Sequence, residues 1–256
     1  MRKLMFHIWL AVMVFTVAAH GICLDDTQQT GNIAVSSMTA AQLEKAGDEC
    51  RAQKDYEHAI KYFKEALRKD QKNAILYNKL GMTELKGGDS RAARNDFAKA
   101  TKYNRQLPEA WNNLGVTYYL ERKYGRAAQY FKKAVALDET RASFHVNLGA
   151  AWFSQEDMDR AMREYTRALE LDPEALVRSS TTGVAAQITN PEERARHNFM
   201  MAKVYAKLGN TDSCLMCLRK AKEDGYRDMG KVYKDEEFSS LWKDARLAEI
   251  IPPPAK

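Results

Sequence analysis

Between residues 108 and 141 the apolar positions fall on two helical stripes. Trp111, Leu114, Gly115 and Tyr118 stand at i, i+3, i+4 and i+7, and Ala127, Phe131, Ala134 and Leu137 share one stripe on a second segment. The same arrangement returns every 34 residues: Gly47/Gly81/Gly115/Gly149, Ala59/Ala93/Ala127/Ala161, Phe63/Phe97/Phe131/Tyr165 and Ala66/Ala100/Ala134/Ala168 keep one step. A period of this length predicts stacked helical hairpins, here spanning 40–73, 74–107, 108–141 and 142–175. A glycine inside a helix costs about 1 kcal/mol relative to alanine, so its recurrence calls for a close approach that offsets the loss. The expected approach sets the alanine column of the second helix against the glycine of the first, with the aromatic column filling the space toward the next unit.

The phase breaks after Pro173. Residues 179–191 are small, polar and β-branched without helical spacing, which predicts a connecting loop over 176–194. A fifth, degenerate unit fits 195–228, with Ala202 in the glycine column, Tyr205 after it, Cys214 in the alanine column, then Leu218 and Ala221. Beyond it, residues 229–256 mix many charges with Tyr233, Phe238, Leu241, Trp242, Leu247 and Ile250, and Pro252 to Pro254 end regular structure.

The W-x2-L-G-x2-Y and A-x3-F-x2-A pattern in Trp111 to Ala134 resembles the tetratricopeptide repeat, and four units match it at full length. The proline usual near the end of a unit appears only as Pro173, with Gln71, Arg105 and Glu139 in its place elsewhere. The resemblance implies an all-α, right-handed α-solenoid of helix-turn-helix repeats, closed by residues 229–256, which are similar to the capping segment of some bacterial arrays. It further implies that the first helices line a concave groove. The column before the Leu-Gly pair, Lys45, Lys79, Asn113 and Asn147, and its neighbours Asn78, Asn112, Tyr119 and Phe153 are then the candidate partner-binding residues. An asparagine amide donates and accepts at once, which suits the backbone of an extended peptide. Lys45 and Lys79 match part of a carboxylate clamp used in this family, but no cations answer them in the later units.

Charge and chemistry narrow this reading. Arg2 and Lys3, an apolar run from Leu4 to Ala19 and small residues after it read as an export signal over 1–21, whose removal lowers the formal charge from +6 to +4. Residues 22–39 are polar and aperiodic, a flexible lead-in. The chain is therefore expected to be exported, periplasmic or secreted, with membrane attachment only if the N-terminus is retained or lipidated at Cys23. Its cations alternate with acids, as in ERKYGRAAQYFKKAVALDE, so a nucleic-acid partner is not expected. Cys23, Cys50, Cys214 and Cys217 permit disulfides without specifying a pairing. Histidines 58, 145 and 197 lie far apart, and no P-loop, H-E-x-x-H, G-x-S-x-G or Rossmann pattern occurs. No metal, cofactor or small-molecule substrate is expected. The function class is a non-catalytic scaffold or adaptor of the cell envelope holding a protein or peptide. The alternatives are a thiol-disulfide protein using Cys214-x-x-Cys217 and a membrane-tethered part of a pilus or secretion machine.

Overall fold

A computed structural model describes residues 36–176 and 190–254. The expected signal segment, most of the lead-in and residues 177–189 of the expected loop lie outside the described residues. Helices account for nearly all of the rest, and no strand occurs among the described residues. They are α1 (Ala40–Ala52), α2 (Tyr56–Lys69), α3 (Ala74–Lys86), α4 (Ser90–Tyr103), α5 (Pro108–Leu120), α6 (Tyr124–Leu137), α7 (Ala142–Phe153), α8 (Met158–Leu171), α9 (Pro191–Lys207), α10 (Thr211–Glu223) and the short α11 (Ala245–Ile250). Two 3-10 segments, Met229–Tyr233 and Glu236–Leu241, precede α11.

Helix starts follow the chemistry of their first residues. Thr39 and Gln42 form a reciprocal capping box on α1. The side chains of Asp55, Asp89 and Asp157 accept from the third residue onward at the starts of α2, α4 and α8, and Asn210 does the same at α10. One residue before each of these caps the chain turns through the left-handed region, at Lys54 (φ 64°), Gly88 (φ 93°), Glu156 (φ 62°) and Gly209 (φ 71°), and Arg122 (φ 58°) does so before α6. This conformation favours glycine, yet the position holds Lys, Arg and Glu in three hairpins.

Helices pair as successive hairpins: α1 with α2, α3 with α4, α5 with α6, α7 with α8, and α9 with α10. The glycine column serves the aromatic of its own hairpin, which corrects the sequence expectation. A Cβ on Gly47, Gly81 or Gly115 would meet the ring of Phe63, Phe97 or Phe131 at 2.7, 2.8 and 2.6 Å. All three rings, and that of Tyr165, are fully buried. The alanine column lies near as well, with the Ala93 carbonyl 3.1 Å from a Cβ on Gly81.

The chain divides into two compact units at Arg105/Gln106. In the first, the second hairpin packs on the first through α2 and α3, and a core forms around Leu43, Phe63, Leu67, Leu76 and Leu80. In the second, α6 meets α7 and α8 meets α9, around Phe131, Tyr165, Phe199 and Leu218. Helix α9 begins at Pro191, a turn earlier than the unit boundary expected from the sequence, with Asn190 as its cap. The C-terminal segment packs back on this unit: Phe238 lies 5.6 Å from Phe199, and Val232, Leu241, Leu247 and Ile250 are buried with it. Trp242, one of the apolar residues of this segment, is 44% exposed and donates its indole N–H to the Val232 carbonyl at 2.8 Å. Among the described residues no helix is long and apolar enough to cross a membrane.

Candidate interaction face

The first helices meet one another with a stagger of one residue beyond the repeat. In the first unit, Lys79 on α3 reaches Glu44 on α1, 35 positions earlier, at 2.6 Å. In the second, the Asn147 amide on α7 donates to the Asn112 Oδ1 on α5 at 2.8 Å, and the Tyr119 hydroxyl meets Ser154 Oγ at 2.9 Å, again 35 apart. Polar side chains on these helices therefore find their partners on the adjacent first helix.

This pairing changes the standing of most candidate residues. Asn78, Asn112 and Asn147 are buried, and the Asn112 amide turns its donor toward Asn113 at 3.4 Å. A buried amide must be hydrogen-bonded, and here the bond between Asn112 and Asn147 fills that need across two helices. Tyr119 and Phe153 are 5% and 4% exposed, so their rings pack rather than project. Helix α7 is buried at nine of its twelve positions, because its sequence ASFHVNLGAAWF carries small and apolar residues on every side. The expectation that Asn147 offers an open amide in one column with Asn113 does not describe this conformation, since Asn147 is buried in its bond to Asn112. Asn113, by contrast, is half-buried, and with half-buried Val116 and exposed Leu120 it forms a stripe on α5 at spacing i, i+3, i+7.

The two lysines are not a clamp. Lys79 bridges Glu44 and Asp48 on α1 at 2.6 and 2.5 Å, and Arg51 holds the second oxygen of Asp48 at 2.8 Å. Burial lowers the Lys79 pKa, but the hydrogen bonds to Asp48 and Glu44 outweigh it and hold the ammonium above its ordinary value. Lys45 is exposed and 3.9 Å from Glu49 on its own helix. The carboxylates at Glu44 and Asp48 answer Lys79 in place of a ligand; the offset of 35 could have exposed Glu44, and Asp48, 31 positions from Lys79, stands one turn further along α1.

A cleft of about 230 Å³ opens where the turns of the third and fourth hairpins meet the start of α9. Its walls include Tyr119, Arg122, Phe153, Ser154, Glu156 and Arg196, and Arg196 pairs with Glu156 at 3.1 Å. Sequence periodicity missed Arg122, Glu156 and Arg196, because two sit in the turns between helices and one on the unit whose register is broken.

The remaining chemistry is structural in geometry. Cys214 and Cys217 are free and buried on α10, and burial pushes their thiols up to about 12 and about 11, where thiolate is scarce at neutral pH. The imidazole of His197 is pulled down to about 4 by burial, with its ring edge-on to Phe153 and Tyr165. Among the described residues no group of three or more His, Cys, Asp or Glu is arranged to hold a metal ion.

Comparison with known proteins agrees with this architecture. Models of the tetratricopeptide repeat match residues 47–86, 78–142 and 142–175. Among solved structures, a MamA protein aligns with TM-score 0.53 at 22% identity, covering 77% of this chain and 95% of its own. MamA from Desulfovibrio magneticus RS-1 aligns with TM-score 0.53 at 18% identity over 74% and 96%. YrrB, described as a TPR protein with an unusual peptide-binding site, aligns with TM-score 0.53 at 19% identity over 78% and 93%. At these identities the likeness concerns the fold. No curated protein matches the sequence.

Proposed function

Because this chain is a tetratricopeptide-repeat protein, we propose that it works as a non-catalytic scaffold whose first helices hold a segment of another protein. The observation that carries the reading is the stripe Asn113, Val116 and Leu120 on α5. It places an amide and two apolar side chains at the surface of a first helix, and Leu120 is 38% exposed. Such a stripe suits a short apolar or amphipathic segment bound through side-chain contacts and an amide clamp. The peptide-binding site named for YrrB supports the same class of partner. The ion-paired state of Lys79 argues against a free C-terminal carboxylate as the ligand, since Glu44 and Asp48 already occupy its ammonium.

The N-terminal run Leu4 to Ala19 supports an exported protein acting in the cell envelope. Intact mass of the protein purified from its native host tests this: a chain starting near residue 22 is expected, and an unprocessed chain in the cytosol overturns it.

For the binding face, the wild type and an Asn113→Ala/Leu120→Asp variant are compared by crosslinking in envelope extracts. The variant is expected to lose its captured partners while melting within a few degrees of the wild type. Retention of the same partners by a variant that melts alike removes α5 from the binding face.

A further inference from the structure

One pair of positions sets the second hairpin apart. In the third hairpin, Tyr118 on α5 and Tyr130 on α6 stack at 5.2 Å. The residues 34 positions earlier are Glu84 on α3 and Asp96 on α4, two carboxyl groups where two rings would pack. Both are buried, at 3% and 6% exposure. Taking two like charges out of water is costly, and the cost falls sharply when one of them keeps a proton.

The surroundings show where that proton belongs. Asp96 accepts from the Lys99 ammonium at 2.7 Å, and Lys99 lies 5.0 Å over the ring of Tyr77 on α3. Burial lowers the Lys99 pKa less than its bond to Asp96 raises it. Glu84 has weaker support: its Oε1 is 3.6 Å from the ammonium of Lys64 on α2, which is itself 57% exposed, and its Oε2 is buried without a hydrogen-bond partner. Asp89, the cap of α4, adds a further negative charge. The groups facing Glu84 are thus Asp96 and Asp89 from α4 and its cap, and Lys64 from α2, with Lys99 committed to Asp96.

We propose that Glu84 and Asp96 form a proton-operated latch in the second hairpin: one proton, carried on buried Glu84 while Asp96 stays paired with Lys99, lets the end of α3 pack against α4, and its release to solvent loosens that end. Burial first, then the neighbouring Asp96, raise the Glu84 carboxyl to about 7, while Lys64 opposes the shift. Because the folded value lies above the ordinary 4.5, the stabilisation is fully present below 4.5 and is lost as pH rises through about 7. The same turn of α3 carries Thr83, whose hydroxyl donates to the Lys79 carbonyl at 2.8 Å, so loosening reaches the residue that bridges Glu44 and Asp48.

The test uses the full chain. Melting temperatures of the wild type and Glu84→Gln are compared from pH 5.5 to 8.5, together with carboxyl-carbon NMR of Glu84 in the wild type. The variant is expected to gain on the wild type as pH rises from 5.5, with the gap levelling off near neutrality. Asp96→Asn is expected to move that levelling to lower pH and Lys64→Ala to higher pH. A gap constant over the range, or a Glu84 carbon that titrates at the ordinary carboxyl value, overturns the latch. If Glu84→Gln does not fold, the NMR titration of the wild type decides alone.

Discussion

At the scale of single residues, the recurring glycine is explained by the ring it faces. A Cβ on Gly115 would stand 2.6 Å from Cε1 of Phe131, whereas on Gly149 it would stand 3.2 Å from the Tyr165 ring. Buried rings in close-packed surroundings cannot retreat freely, so Gly115→Ala is expected to destabilise by about 1 to 3 kcal/mol and Gly149→Ala by distinctly less. Urea midpoints of the two variants check this, and equal losses would mean that ring contact does not set the cost. The glycine and aromatic columns were legible in the sequence because they repeat. Their contact was read wrongly, since period alone does not say which residue fills the gap. The change from Phe to Tyr at position 165 was equally visible, but its partner is His197, whose Nε2 lies 3.3 Å from the buried hydroxyl, on the first helix of the degenerate unit that stands out of strict register.

At the scale of elements, side chains of low repeat regularity tie helices to their connections. His145 on α7 is 5% exposed, with Nδ1 2.7 Å from a Glu164 oxygen on α8 and Nε2 3.1 Å from the Glu139 carbonyl in the link before α7. A carbonyl only accepts, so both bonds are fully made when the imidazole carries both protons and Glu164 is ionised. Burial works against that charge, yet the bonds to Glu164 and the Glu139 carbonyl outweigh it and hold the His145 pKa above 6.5. The sign follows: a raised folded value gives stability that is complete below 6.5 and declines as pH climbs through the folded value. His145→Gln is therefore expected to melt well below the wild type at pH 6 and to close part of that gap by pH 8.5, as followed by thermal unfolding. A gap independent of pH would leave His145 as packing alone. Sequence reading set this histidine aside because it lay far from the others. Its partners are 6 and 19 residues away, on a link and a facing helix, and only the fold brings them to one ring.

At the scale of the whole molecule, the hairpin order was legible because every unit repeats the same burial problem, and the partner face was not, because exposure depends on what the neighbouring first helix supplies. Asn113 and Asn147 share one column in the sequence, yet Asn147 is buried in three dimensions in a bond to Asn112. The same nearest-neighbour logic governs stability, since each hairpin of an array draws its support from the surfaces beside it. The first unit has two hairpins around the Phe63 core and contains the buried Glu84 and Asp96. The second has three hairpins, and Phe238, Leu241 and Leu247 of the C-terminal segment extend its core from Phe131 to Ile251. Local opening free energy follows buried apolar contact, so the two units are expected to open at different denaturant concentrations. Hydrogen exchange in stepwise urea reads this directly. Amides of α2 and α4 should lose protection before those of α8 and α10. Exchange of all four helices at one urea concentration would show instead that the chain unfolds as a single cooperative block, with hairpin-to-hairpin coupling stronger than the difference between the two cores.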